Sequence, residues 1–209
     1  EVIPAQSAPA STAAPAPVAP VAEPVATVQT ATPVLTPSQG ATTFVGNKVT
    51  EMTRDLAKLD SGINNLEGRL VQVQAEAQGG SDKYHTLLGV ITAKLQRGTT
   101  PGNPLLVDNW NQAQVALESV AETIPRMTKL SNDAADQAAF GQYLLNAVQA
   151  TYGLSGAVEE DHVRLQSLED SVHQALVQVD RLMNDLSQDI NRQNVYVNNE
   201  RQNMTTLSL

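Results

Sequence analysis

From Val45 onward, apolar side chains recur at intervals of four and three: Val45, Val49, Met52, Leu56, Leu59, Ile63, Leu66, Leu70, Val73 and Ala77. A mean interval of 3.5 residues keeps a narrow stripe on one side of a helix. Its persistence predicts a coiled-coil helix rather than a broad-faced globular one. Gly79-Gly80 interrupts the stripe, and Ser81 with Asp82 offers a new helix start, after which Tyr84, Leu88, Ile91 and Leu95 resume the spacing. Gly98 is suited to a left-handed helix end. In the following Thr99-Thr100-Pro101-Gly102-Asn103-Pro104, Asn103 is an N-cap with proline at the first helical position. The chain is expected to reverse there.

The same rhythm continues through Leu106, Trp110, Ala113, Leu117, Val120 and Ile124, meets Pro125, and goes on through Met127, Leu130, Ala134, Ala138, Gly141, Leu144, Leu145 and Val148. Tyr152-Gly153-Leu154-Ser155-Gly156 predicts a second reversal, with Gly153 as the stop and Ser155 as the next cap. A last helix then carries Val158, Leu165, Leu168, Val172, Leu176, Val179, Met183, Leu186, Ile190 and Val197, and its change of spacing between Leu168 and Leu176 reads as a stutter. The expected fold is all-α: an elongated antiparallel three-helix coiled-coil bundle with arms over 47–97, 104–152 and 155–209, each about 75 Å long at ~1.5 Å per residue. Gly79-Gly80 and Pro125 lie at similar heights, about 30 Å from the first turn. They predict a shared kink or joint, or else a shorter bundle in which each arm is two separate helices. An odd number of arms brings the chain in at one end and out at the other. Met204 and Leu207 stay on the stripe with no Gly or Pro after them, which creates the expectation of a further domain beyond Leu209.

Composition divides the chain in two. Eight of the 11 prolines fall at or before Pro37, and none of the seven aromatic residues precedes Phe44. Proline fixes φ and removes donors, so residues 1–44 are expected to form an extended Pro/Ala/Val-rich tether that can dock along a protein partner. The remaining residues 45–209 form the helical part, where a thin aliphatic seam needs few aromatics. The net charge is −9 with no cluster of Lys and Arg, so nucleic acid is not expected as a partner. The chain has no cysteine, which excludes disulfides, thiol catalysis and Cys-ligated zinc. No run approaches the ~20 apolar residues of a transmembrane helix. A start at Glu1 rather than Met fits a processed N-terminus and a periplasmic or extracellular location.

Candidate chemistry is sparse. Each histidine has an acid three residues before it: Asp82 with His85, Glu159 with His162, and Asp170 with His173. Residues three apart share a helix face, so each pair could contribute to a metal site, as Glu-x-x-His does in di-iron bundles. His162 and His173 are about 16 Å apart along one helix, and His85 belongs near the opposite end from His162. The three pairs therefore read as solvated helix surface, and no metal or cofactor is expected. Trp110 reads as a core or bundle-end plug, and Glu159-Glu160-Asp161 as acids favoured at a helix N-terminus. There is no nucleophile elbow and no Gly-rich phosphate loop. The last 22 residues are crowded with Asn and Gln, and Gln193, on the seam, could set register in a homo-oligomer.

Three strings, Gly98-Thr99-Thr100-Pro101-Gly102-Asn103-Pro104 with Trp110-Asn111, Ala150-Thr151-Tyr152-Gly153-Leu154-Ser155-Gly156-Ala157-Val158, and Tyr196-Val197-Asn198-Asn199-Glu200-Arg201, resemble the helical region of exported bacterial envelope proteins neighbouring the OmpA/Pal-like group. The resemblance covers residues 48–209. It implies association with the outer membrane and carries over no catalytic residue. The expected function is that of a non-enzymatic envelope spacer acting through protein partners. The alternatives are an exported self-assembling subunit of a filament, sheath or secretion apparatus and, more distantly, a metal-binding bundle.

Overall fold

The structure, a computed structural model, describes residues 43–155 and 157–207. The Pro/Ala/Val-rich tract lies outside the described residues except for its last two positions, which belong to the first helix: Thr43 caps it and Phe44 opens it. Four α-helices follow, α1 Phe44–Gln96, α2 Pro104–Ala121, α3 Thr123–Tyr152 and α4 Glu159–Thr206, with no strand among the described residues. α2 and α3 form a single arm divided at Glu122, so the bundle has three arms. Hydrogen bonds fix their directions. α1 pairs with α4 through Thr43–Asp161, Gln74–Asp189 and Ser81–Tyr196, at offsets of 118, 115 and 115 residues. A nearly constant offset over 38 positions of α1 (43 to 81) means that the two helices run parallel and in step. Arg69–Asp133 and Glu76–Arg126 pair α1 with α3 as the numbers run in opposite senses, so the middle arm is antiparallel to both.

The core follows the heptad spacing and falls into three successive clusters. Val45, Val49, Met52, Leu144, Val148, Leu165 and Leu168 fill the end where the chain enters. Leu59, Ile63, Leu66, Met127, Leu130, Val179 and Leu186 fill the middle, and Ala77, Tyr84, Ala113, Leu117, Val120, Val197 and Met204 the far end. Each fully buried leucine or valine stabilises by roughly 1.5–3 kcal/mol relative to exposure.

The first reversal has the expected chemistry. Gly98 adopts φ +87°, its N–H donates to the Leu95 carbonyl and the Thr99 N–H to the Lys94 carbonyl, which closes the last turn of α1. Asn103 Oδ1 accepts from the Leu105 N–H at 2.9 Å, with Pro104 opening α2.

Several expectations are corrected. α1 runs unbroken through Gly79-Gly80, and Ser81 is not a cap. Gly80 instead allows close approach: a Cβ there would lie 2.7 Å from Val120 Cγ2 and 3.3 Å from the Ala116 carbonyl oxygen of α2. Pro125 does not kink a continuous helix. It is the third residue of α3, where its absent N–H would have had no intrahelical partner, and the discontinuity falls at Glu122 before it. α4 begins at Glu159 rather than at residue 155: Val158, assigned to the seam, is half exposed as its N-cap, and the Val158 N–H donates to Asp161 Oδ2. Nor does a stutter occur between Leu168 and Leu176. Ala175 occupies the buried position, and Leu165, Leu168, Val172, Ala175, Val179, Leu182, Leu186 and Asp189 hold the three-four rhythm without a break.

Candidate functional site: the polar seam between α1 and α4

Continuing the rhythm past Leu186 places Asp189, Gln193, Tyr196 and Glu200 on the side of α4 that faces α1, while Ile190, Val197 and Met204 form the apolar stripe beside it. α4 is thus held to the rest of the bundle differently along its length. From Leu165 to Leu186 its buried contacts are aliphatic, after the Thr43–Asp161 hydrogen bond at its start. Beyond Leu186 it is tied to α1 by polar groups.

Asp189 is 5% exposed and accepts from Gln74 Nε2 at 2.6 Å and from the Arg192 guanidinium. About two turns further on, Ser81 Oγ donates to Tyr196 Oη at 2.8 Å, and Tyr196 Oη lies 3.1 Å from His85 Nε2. Tyr84, fully buried, donates its hydroxyl to Glu200 Oε2 at 2.9 Å, and Asn203 Nδ2 donates to the same oxygen at 3.0 Å. Burial raises the Tyr84 hydroxyl far above the ordinary tyrosine pKa, with the Glu200 carboxylate adding to it. Burial also raises Tyr196, against the lowering effect of the Ser81 hydrogen bond. Burial thus disfavours the phenolate form of both groups, which act here as neutral hydrogen-bonding phenols. The small residues Ala77 and Ser81 leave room beside these groups. A hollow of about 450 Å³ opens there, lined by Gln74, Gln78, Ser81, Asp189, Gln193 and Tyr196, among others.

The three histidines are dispersed, as their spacing required. His85 meets Tyr196 and stands edge-on to the Tyr84 and Tyr196 rings. His162 stacks on Tyr152 at 6.2 Å near the opposite end, and His173 is exposed on α4 between them. Asp82 accepts from Gln78 rather than turning toward His85. Among the described residues, no three His, Asp or Glu side chains gather as metal ligands would. Trp110 packs partly buried against the far-end cluster, with its indole N–H enclosed and unpaired. Gln193 lines the polar hollow. Asp161 does more than favour the start of α4: it is buried and accepts from Thr43 Oγ1 at 2.8 Å, fastening the entry of α1 to the start of α4. No described helix is long and apolar enough to cross a membrane.

Comparison with known protein families, curated proteins and solved structures gives no match. The reading of this seam therefore rests on its geometry. Its main residues, Asp189, Tyr196, Gln74 and Ser81, are not among the candidates chosen from sequence. A signal for Asp189 was present, since it lies seven residues after Leu182 and 14 after Ala175.

The polar seam makes a stability prediction. Asp189→Ala leaves the Gln74 amide and the Arg192 guanidinium without their acceptor and is expected to cost about 1–2 kcal/mol. Replacing the pair together, Gln74→Leu with Asp189→Leu, is expected to recover most of that loss, because the leucine at the buried position 189 packs in the seam while the exposed position 74 adds little. Urea denaturation of the single and double variants checks both outcomes.

Proposed function

We propose that this protein is a non-enzymatic spacer of the bacterial cell envelope, a helical bundle that holds apart what is attached at its two ends and acts through protein partners. The observation that carries this reading is the parallel, in-step pairing of α1 and α4 with the opposed α2–α3 arm between them. In that arrangement the chain enters at one end and leaves at the other, and α1 alone, with 53 residues, spans about 80 Å at ~1.5 Å per residue. The polar seam supports a structural role as well: its ionisable and hydroxyl groups are engaged with one another, and its phenols are neutral. The envelope location rests on the resemblance of the three strings quoted above.

Small-angle scattering of the full chain tests the spacer. A longest dimension of about 75 Å or more is expected from helices of this length, and a compact particle well below it overturns the reading. Sedimentation separates the spacer from a self-assembling subunit. A single species across a wide concentration range is expected, whereas concentration-dependent polymers favour assembly.

A further inference from the structure

The α1–α4 face carries a second hollow, near the end where the chain enters, and its chemistry differs from that of the polar seam. It measures about 430 Å³ and is floored by Val49, Leu56 and Leu168. Arg54 of α1 and Arg164 of α4 stand on its two sides, and no acidic residue lines it. That runs against the character of a chain with 22 acids and 13 bases. Arg164 bonds Glu160 at 2.6 Å, but both side chains are more than half exposed, so the pair is open to exchange. Arg54 has no ion pair among the described residues.

The hydroxyls on the rim distinguish between kinds of anion. Thr50, Thr53 and Ser171 donate to the carbonyls of Gly46, Val49 and Ser167 on their own helices, so each presents oxygen lone pairs to the hollow. A free phosphate needs donors on every side. An extended peptide brings backbone N–H groups for those oxygens, carboxylates for the two guanidiniums and aliphatic side chains for the floor. The lining spans about two turns on each helix, Val49 to Leu56 and Arg164 to Ser171. That is about 10 Å, the length of roughly three extended residues.

We propose that this hollow is a docking site for a short, extended, acidic peptide segment of a partner protein, read by Arg54 and Arg164 from opposite sides. The proposal rests on the reading of the bundle as a scaffold acting through partners. The two are separable, because a rod in scattering that binds no peptide removes only the docking site.

The test uses the full chain, isotope-labelled for NMR, and the probe peptide (Glu-Val-Pro-Ala)₃, with (Gln-Val-Pro-Ala)₃ as the uncharged control. The acidic probe is expected to shift resonances around residues 49–56 and 164–171, and to bind at least about 10-fold more tightly than the control, as a complementary charge pair allows. Arg54→Glu with Arg164→Glu, both at exposed positions, is expected to abolish this preference, and (Lys-Val-Pro-Ala)₃ is then expected to bind the doubly reversed protein. Absence of binding at millimolar probe, equal affinity for acidic and neutral probes, or shifts elsewhere on the bundle overturn the proposal. So do shifts in these residues that follow the concentration of the protein alone, which would make the face an interface between copies of this chain.

Discussion

Tyr84→Ala is expected to lower the stability of the bundle by about 3–5 kcal/mol, the cost of truncating a buried aromatic ring. Tyr84 is the largest fully buried side chain, lying within the far-end cluster with Leu117, Val120, Val197 and Met204. Three of the seven other buried members of that cluster, Ala77, Ala113 and Ala116, are too small to fill the space the ring would leave. The hydroxyl contributes separately. Tyr84→Phe keeps the ring and removes only the donor to Glu200, so a cost of about 1 kcal/mol is expected. Denaturant midpoints at unchanged slope measure both. If the two variants proved equally harmful, the polar tie rather than packing would dominate this end of the bundle. If both were neutral, α4 would not be seated here as described.

Adjacent glycines are expected to respond in opposite directions. Gly79 has open space around a built Cβ, so Gly79→Ala gains the helix propensity that glycine forfeits, about 0.5–1 kcal/mol. Gly80→Val is expected to cost about 2–3 kcal/mol by overpacking. Its Cβ alone would meet Val120 Cγ2 at 2.7 Å, Ser119 Oγ at 2.9 Å and the Ala116 carbonyl oxygen at 3.3 Å. The side chains can rotate aside, but the backbone oxygen moves only with α2, so α1 and α2 must separate. Thermal melts of the two single variants check the contrast. Destabilisation by both would indicate a break in α1 at this pair, and stabilisation by both would deny the close contact with α2.

How much was legible in advance varies by element. The stripe from Val45 to Ala77 is regular and continuously apolar, so the buried face of α1 follows from spacing, as do the turn at Gly98 and the cap at Asn103. α4 was misread where its pattern stops being apolar. With Asp189, Tyr196 and Glu200 left off the stripe because they are polar, the apolar residues that remain are Leu176, Met183, Ile190 and Val197, which repeat every seven residues on the neighbouring stripe. That choice creates a stutter the helix does not have. Gly79-Gly80 was misread for a related reason. Glycine weakens a helix locally, but a long helix packed along both flanks gains enough from tertiary contacts to run through it.

By itself, then, the sequence determined the helical class, the three arms, the first reversal and the aliphatic seam, because each depends on local geometry and on residues whose preference for burial is unambiguous. Only the tertiary structure decided that Asp189 is buried and Gly80 a contact, that Tyr84 and Tyr196 anchor α4 to α1, and that Arg54 and Arg164 line one hollow that no acid lines. A polar side chain or a glycine has no fixed preference for inside or outside. Its place is set by the partner it meets, and here those partners lie between 36 and 116 residues away along the chain.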